Sequence, residues 1–386
     1  VEILSAMSKP YVRFLFLGDP RTDRRLKNFI WLFTELGYMV ELVNANPVTQ
    51  DTEWKMDGIQ VQNLRLTYSR GVRMFLQYKE LLQRTLSNTE PCDILFACEL
   101  YSLMAASSAK KSGKARRIFY DARELYTELP SVANNLLKKI FWKRWEQKGL
   151  RQTDLVIVTA PDDINALKEV HGFLPPQVII RNLPRREVYN RTDYLRKKYF
   201  IPPEKKIFVY IGGLQKDRGL EKMISVMEVL KDLAVLVIIG SGALKDHLQN
   251  QVNSLELQNI VFLHPIIDSE KVIQVLSSAD IGISLIEQHS KSYQLALPSK
   301  IFEYRLAGLP VISSSLKQVK DIFDKSKEII FADPDNKSGV TEACRKALAL
   351  PDSEEIRKKI SEEAYNNYAF EKDAVELKNM LDSKFS

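Results

Sequence analysis

The chain has 386 residues, 45% of them hydrophobic and 27% charged, and its 56 basic and 49 acidic side chains give a net charge of +7. That length exceeds what one hydrophobic core usually fills, so two domains are expected, and no run of about 18 apolar residues is present to span a bilayer. Three cysteines, Cys92, Cys98 and Cys344, form no close pair; they offer neither a disulfide framework nor a zinc site and fit a reduced cytosolic protein.

The residues up to Met7 are too few for a signal peptide, and Met7 reads as a natural start behind a few extra residues. Residues 11–17 form a continuous apolar strand, 23–36 an amphipathic helix closed by Gly37, and 39–43 a second strand, which is how a doubly wound parallel sheet begins. Further strands are predicted at 58–64, 94–97, 117–120, 155–159 and 178–180. Leu183-Pro184-Arg185-Arg186 breaks the alternation. A second series then runs through strands at 206–211, 235–239, 260–263, 281–285, 310–313 and 328–331. The expected fold is therefore α/β, with two Rossmann-like, doubly wound parallel-sheet domains (residues 1–183 and 184–365) facing each other across a cleft, followed by a helical tail at 366–386.

Charge is uneven between the halves: residues 1–183 carry 26 basic and 20 acidic side chains, the remainder 30 and 29. Much of the excess lies in 134–151, where Lys138, Lys139, Lys143, Arg144, Lys148 and Arg151 accompany one acid. Leu137, Ile140, Phe141 and Trp145 recur there at helical spacing, with Trp142 beside them. Two readings stay open. The helix lies on an anionic lipid surface through Lys138, Lys139, Lys143 and Arg144, or it packs Leu137, Phe141 and Trp145 inward with its lysines solvated. The basic half carries no recognisable nucleic-acid module, so no nucleic-acid partner is expected.

The segment 298–314 carries the most chemistry. It reads as a loop, a short helix opened by Ser299, a stop at Gly308 and a buried strand. The first amides of a helix lack partners and bear the positive end of its dipole, so they attract phosphate. Glu303, of the same sign as phosphate, can instead accept hydrogen bonds from a ribose diol. Amides for a diphosphate and a carboxylate for a diol together suggest a nucleotide diphosphate; the plain alternative is a Ser299-capped helix with Glu303 on its solvated face. Gly212-Gly213 and Gly240-Ser241-Gly242 follow successive predicted strands of the second domain, where open parallel sheets bind ligands. Arg218 adds a cation whose fork suits a diphosphate.

Pro298-x-Lys300-x-x-Glu303-Tyr304 followed by Ala307-Gly-Leu-Pro-Val-Ile312 resembles the donor-site signature of retaining GT-B glycosyltransferases of family 4. Tyr210-Ile-Gly-Gly-Leu214, Arg218-Gly-Leu220, Ile239-Gly-Ser-Gly242 and Ala279-Asp-Ile-Gly-Ile283 recur in register with that family, and 18–21, 120–124 and 178–182 resemble its acceptor-side half. The resemblance implies transfer of a sugar from a nucleotide-diphosphate donor to a glycan or lipid-linked acceptor, as in polysaccharide or cell-envelope synthesis at the cytoplasmic face of a membrane. It implies no metal and no cofactor, the nucleotide-sugar being a substrate. The catalytic residues it implies are Arg218, Lys300 and Glu124. Donor contacts fall on Gly18, Arg123, Gly212, Gly213, Gly240, Gly242, Leu295, Leu297, Pro298, Ser299 and Glu303, and acceptor contacts on Asp19 and Arg21.

Three positions depart from the family pattern. A glutamate that usually contacts the donor sugar is Leu295, so only backbone amides over 293–297 remain to bind phosphate there. A usual histidine is Arg123, and a second usual cation is Gly213, for which Lys300 or Lys216 can substitute. These departures keep open a second reading, a catalytically weak GT-B protein that binds nucleotide or glycan as an assembly partner. A nucleotide-sugar epimerase of similar fold is a more distant third. Asp333-Pro-Asp335 matches an Asp-x-Asp metal motif of a different fold but reads as a turn, and His171, His247, His264 and His289 show no ligand spacing.

Overall fold

The computed structural model describes residues 9–20, 23–47, 55–67, 80–81, 83–84 and 90–385. They fall into two compact units, one reaching to Arg181 and including the chain from Ala374 onward, the other spanning Asn182–Asp373.

The first unit is built on β1 (Tyr11–Leu17), β2 (Met39–Pro47), β3 (Gln60–Leu66), β4 (Cys92–Cys98), β5 (Ala115–Ala122), β6 (Leu155–Val158) and β7 (Gln177–Ile179). They pair in the order β3-β2-β1-β4-β5-β6-β7, every pair parallel. The core forms where the helix α1 (Arg24–Glu35) covers the sheet: Phe14 and Phe96 ring centroids lie 4.7 Å apart, and Phe29 packs 4.8 Å from Phe96. Asp23 caps α1 by accepting from the Leu26 amide at 2.7 Å, and Gly37 takes the left-handed φ of +81° that ends it. Two further helices, α2 (Glu99–Lys111) and α3 (Leu136–Leu150), stack against each other. They come close because Gly149 has no side chain: a Cβ there would sit 2.5 Å from Leu103.

In the second unit the strands are β8 (Lys206–Ile211), β9 (Ala234–Ile239), β10 (Val261–His264), β11 (Ile281–Ser284), β12 (Val311–Ser314) and β13 (Ile329–Ala332). Their order is β10-β9-β8-β11-β12-β13, again all parallel. β9 is buried along its whole length, as a strand covered on both faces must be, which is why it reads as an unbroken Val/Leu/Ile run. The same strand order in both units puts a topological switch between β1 and β4 in one and between β8 and β11 in the other. Crevices at such points, beyond the carboxyl ends of the strands, are where open sheets receive ligands.

The helix α3 corrects the inward-packing reading of 134–151. Its buried residues are Trp142, Glu146, Gly149 and Leu150, whereas Leu137 is 80% exposed and Ile140 and Phe141 are also exposed. Glu146 is buried because it accepts from Tyr120 Oη at 2.7 Å and lies 3.0 Å from His171 Nε2. Among the described residues no helix is long and apolar enough to cross a membrane.

Candidate functional site

The second unit gathers most of the predicted residues at the carboxyl ends of β8, β9 and β11. The helix α4 (Ser299–Leu306) sets the geometry. Ser299 does not cap it; Pro298 occupies the cap position without a side-chain hydrogen bond, and Ser299 is the first helical residue. Tyr304, to which the motif alone assigned no role, fastens the helix in place. Its buried hydroxyl accepts from the Ile211 amide and donates to the Ile283 carbonyl, each at 3.0 Å, and so clamps β8 to β11 at the switch point. Gly282 makes room for the ring, since a Cβ there would lie 2.4 Å from it.

Lys300, one turn before Tyr304, places its ammonium 4.0 Å from the centre of the Tyr210 ring and 3.1 Å from where a Gly212 Cβ would be. Gly212 has a φ of +141°, so the turn after β8 needs glycine both for its backbone and for the lysine. Part of the Lys300 side chain reaches solvent, but its ammonium is enclosed. Burial, followed by the neighbouring Arg218 guanidinium, pulls its pKa down to about 7, with Glu303 acting in the opposite direction. Arg218 itself lies over the Tyr293 ring at 4.9 Å. Arg218 therefore lies close enough to Lys300 to disfavour the charge on the lysine, an arrangement that a bound polyanion would relieve.

Backbone geometry redistributes the other expectations. Gly240, with φ +151°, is required because a Cβ would fall 1.9 Å from the Gly212 carbonyl oxygen; Gly242 packs likewise against Leu214. These two glycines stack one turn upon the other, which explains them without a ligand. Gly213 is different, because a Cβ there meets only the Gln215 side chain at 3.4 Å, so the position usually held by a cation is sterically open. The amides of Tyr293, Gln294, Leu295 and Ala296 are consumed in local turns by Ser290, Lys291 and Tyr293. They do not supply the phosphate contacts expected over 293–297; Leu297 and the α4 start are the better candidates. The Leu295 carbonyl accepts from Gln318.

The switch point of the first unit holds a dense charge cluster. Arg25 pairs with Asp121 at 2.7 Å and donates to the Ile180 carbonyl at 2.6 Å. Arg123 binds Asp121 at 2.6 Å, also pairs with Asp23, and lies 3.6 Å from Glu99. Burial opposes the Asp121 charge, but Arg25 and then Arg123 overcome it and hold the carboxyl below its usual range. Glu99, at left-handed φ (+65°) straight after β4, is raised by burial against the pull of Arg123. The sequence reading missed Arg25, Asp23 and Glu99 as site residues; their signal is position, Glu99 following β4 directly and Asp23 and Arg25 opening the helix after β1. Glu124 is exposed, Asp19 and Gly18 are partly buried, and Arg21 lies outside the described residues.

Asp333 forms the expected turn, accepting from the Asp335 amide at 3.0 Å. His289, without ligand spacing in the sequence, is brought by the fold to within 3.2 Å of Asp217.

Residues 192–367 match the family model "Glycosyl transferases group 1". The chain is 26% identical over 177 residues to the putative colanic acid biosynthesis glycosyl transferase WcaI of Escherichia coli, covering 44% of this chain and 42% of that protein. Alignments with the curated relatives span about half of their length. A sucrose-phosphate synthase structure from Thermosynechococcus elongatus superimposes with a TM-score of 0.79 at 15% identity, covering 98% of this chain and 99% of that one. Anabaena HepE, solved with UDP and glucose, superimposes with a TM-score of 0.70 at 14% identity over 96% and 99%. The chain is thus a GT-B-fold protein related to the group 1 glycosyl transferases through residues 192–367.

Proposed function

We propose that this protein is a retaining, metal-independent glycosyltransferase that moves a sugar from a nucleotide-diphosphate donor to a glycan or lipid-linked acceptor in polysaccharide or cell-envelope synthesis. The observation that carries the reading is the Lys300–Arg218 pair beside the Gly212-Gly213 turn, at the carboxyl ends of the central strands, with Glu303 of α4 acting on the same lysine. Charge grows on the diphosphate as it leaves. Two cations and the first-turn amides of α4, fixed before the reaction, stabilise that charge without reorganising, while Glu303 holds the ribose. The departing phosphate oxygen takes the proton of the incoming hydroxyl on the same face, so the protein need supply no nucleophile. The glycosyl transferase relative named for colanic acid synthesis and the UDP-bound neighbour support a nucleotide-sugar donor and a polysaccharide product.

The weak-enzyme reading draws on Arg123. Its Nη1 and Nε are engaged by Asp23 and Asp121 while its buried Nη2 has no hydrogen-bond partner, so a guanidinium fixed among carboxylates stands where the family has a histidine.

The test is a panel of nucleotide sugars incubated with the protein and simple acceptors in chelator, with the anomeric configuration of the product read by NMR. Transfer with retention is expected. Glu303→Gln should weaken binding of the cognate nucleotide by about 1.5–3 kcal/mol, the worth of a hydrogen bond to a charged group, with an unchanged melting temperature. Inversion, or strict dependence on added metal, contradicts the mechanism. Nucleotide binding with neither transfer nor hydrolysis for any donor favours the assembly-partner reading.

A further inference from the structure

The turn between β8 and the next helix, and the loop after β11, bring together three side chains of different ligand chemistry. His289 Nδ1 lies 3.2 Å from Asp217 Oδ1 and 3.8 Å from Glu287 Oε2, and all three donor atoms fall within 4.8 Å of one another. Donor atoms about 2.0–2.1 Å from a tetrahedral zinc ion stand roughly 3.3 Å apart, so the set needs little movement to close on one ion. The two loops are already joined, the Glu287 amide donating to the Asp217 carbonyl at 3.1 Å.

The surroundings orient each donor. On the far side of the imidazole, Nε2 faces Asp335 Oδ1 at 3.7 Å. A carboxylate on the far side of a ligating histidine is an outer partner typical of zinc sites. Lys222 donates at 2.9 Å to Glu287 Oε1 and at 2.9 Å to Asp335 Oδ1. It thereby takes one Glu287 oxygen and leaves Oε2 turned toward His289. Asp217, Glu287 and Asp335 outnumber the single Lys222 ammonium that pairs with the last two, an excess of carboxylates that a divalent cation would balance. A mixed nitrogen and oxygen set favours zinc-like ions over magnesium or calcium, which take oxygen alone.

We propose that Asp217, Glu287 and His289 form a binding site for a divalent transition-metal ion of the zinc class, with Asp335 and Lys222 as its outer supports. The ion is not part of sugar transfer. It ties the residue before Arg218 to the loop after β11, and the site stands whether or not the donor reading is right.

The full chain, stripped of metal, is titrated with zinc chloride by calorimetry near neutral pH, and with cobalt(II) followed by visible absorption. One saturable zinc site is expected, with no heat from magnesium at the same concentrations and the intense absorption of tetrahedral cobalt(II). His289→Ala and Glu287→Gln should each abolish that site and the cobalt spectrum. Asp335→Asn should weaken zinc by about 10- to 100-fold, as loss of an outer partner does. Circular dichroism verifies that each variant is folded; His289 is largely exposed and its truncation leaves the core intact. No saturable zinc binding by the wild type, or unchanged binding by either His289→Ala or Glu287→Gln, overturns the site and leaves the cluster a network of ion pairs around Lys222.

Discussion

At the scale of single residues, the informative feature is a lysine whose charge is conditional. Lys300 is enclosed beside Arg218 and has a pKa of about 7, so raising the pH through neutrality removes one of the two cations that would meet a diphosphate. Bound diphosphate favours the charged form, and binding should therefore take up a proton. The sign follows directly. Nucleotide affinity is full below pH 7 and falls above it, by at most about tenfold per pH unit, since one pKa unit is about 1.36 kcal/mol. Calorimetry in buffers of different ionisation enthalpy should register the proton uptake, and Lys300→Arg should abolish both the uptake and the pH dependence while retaining affinity. A pH-independent wild type would show that Lys300 stays charged in the empty site. Arg218→Ala should instead lower turnover at every pH, by about 10²–10³-fold if its charge acts in the transition state.

Individual elements show how much of this was legible beforehand. The strands of both units were readable because buried parallel strands are continuous apolar runs bounded by turns, and most of their ends shift by only a residue or two, as with β4 at Cys92–Cys98 against the expected 94–97, although β2 runs four residues further than expected, to Pro47. The start of α4 was readable, but its cap was not: Ser299 satisfies the sequence rule for a cap, and the chain instead enters through Pro298. Facing was harder still. Leu137, Phe141 and Trp145 share a spacing, yet Trp142 is the residue turned inward, because it packs against Tyr101 and Tyr126, partners remote in sequence. Tyr304 illustrates the same limit, since its two backbone partners belong to β8 and β11. Tyr304→Phe removes that clamp and leaves the half-buried Ile211 amide without its partner, which costs up to about 1–3 kcal/mol. Denaturant unfolding should reveal the loss. If stability is unchanged, the hydroxyl bonds contribute nothing net and the ring alone positions α4.

For the molecule as a whole, we propose a membrane-facing role of the first unit, to be tested on its charge and exposed apolar surface. Its share of the chain up to residue 181 holds 26 basic against 20 acidic residues, and on α3 the exposed Leu136, Leu137, Ile140 and Phe141 lie among Lys138, Lys143 and Arg144. A helix that buried these apolar groups in its own core would need no explanation, but it does not bury them. Lys139 is partly committed to Glu128 at 2.7 Å, so the lipid-facing charge is best tested on the other three. Reversing Lys138, Lys143 and Arg144 to Glu should abolish co-sedimentation with acidic liposomes, each basic residue near such a surface being worth about 1 kcal/mol. Wild-type binding should fall with salt as the Debye length shrinks from about 10 Å at 0.1 M to about 3 Å at 1 M. Phe141→Ser should weaken binding at high salt too, because burial of an aromatic side chain in the bilayer interface is not screened. Transfer to a small soluble acceptor should survive the charge reversal; its loss would place those lysines at the acceptor site, and failure of the wild type to sediment at low salt would leave α3 without a lipid partner.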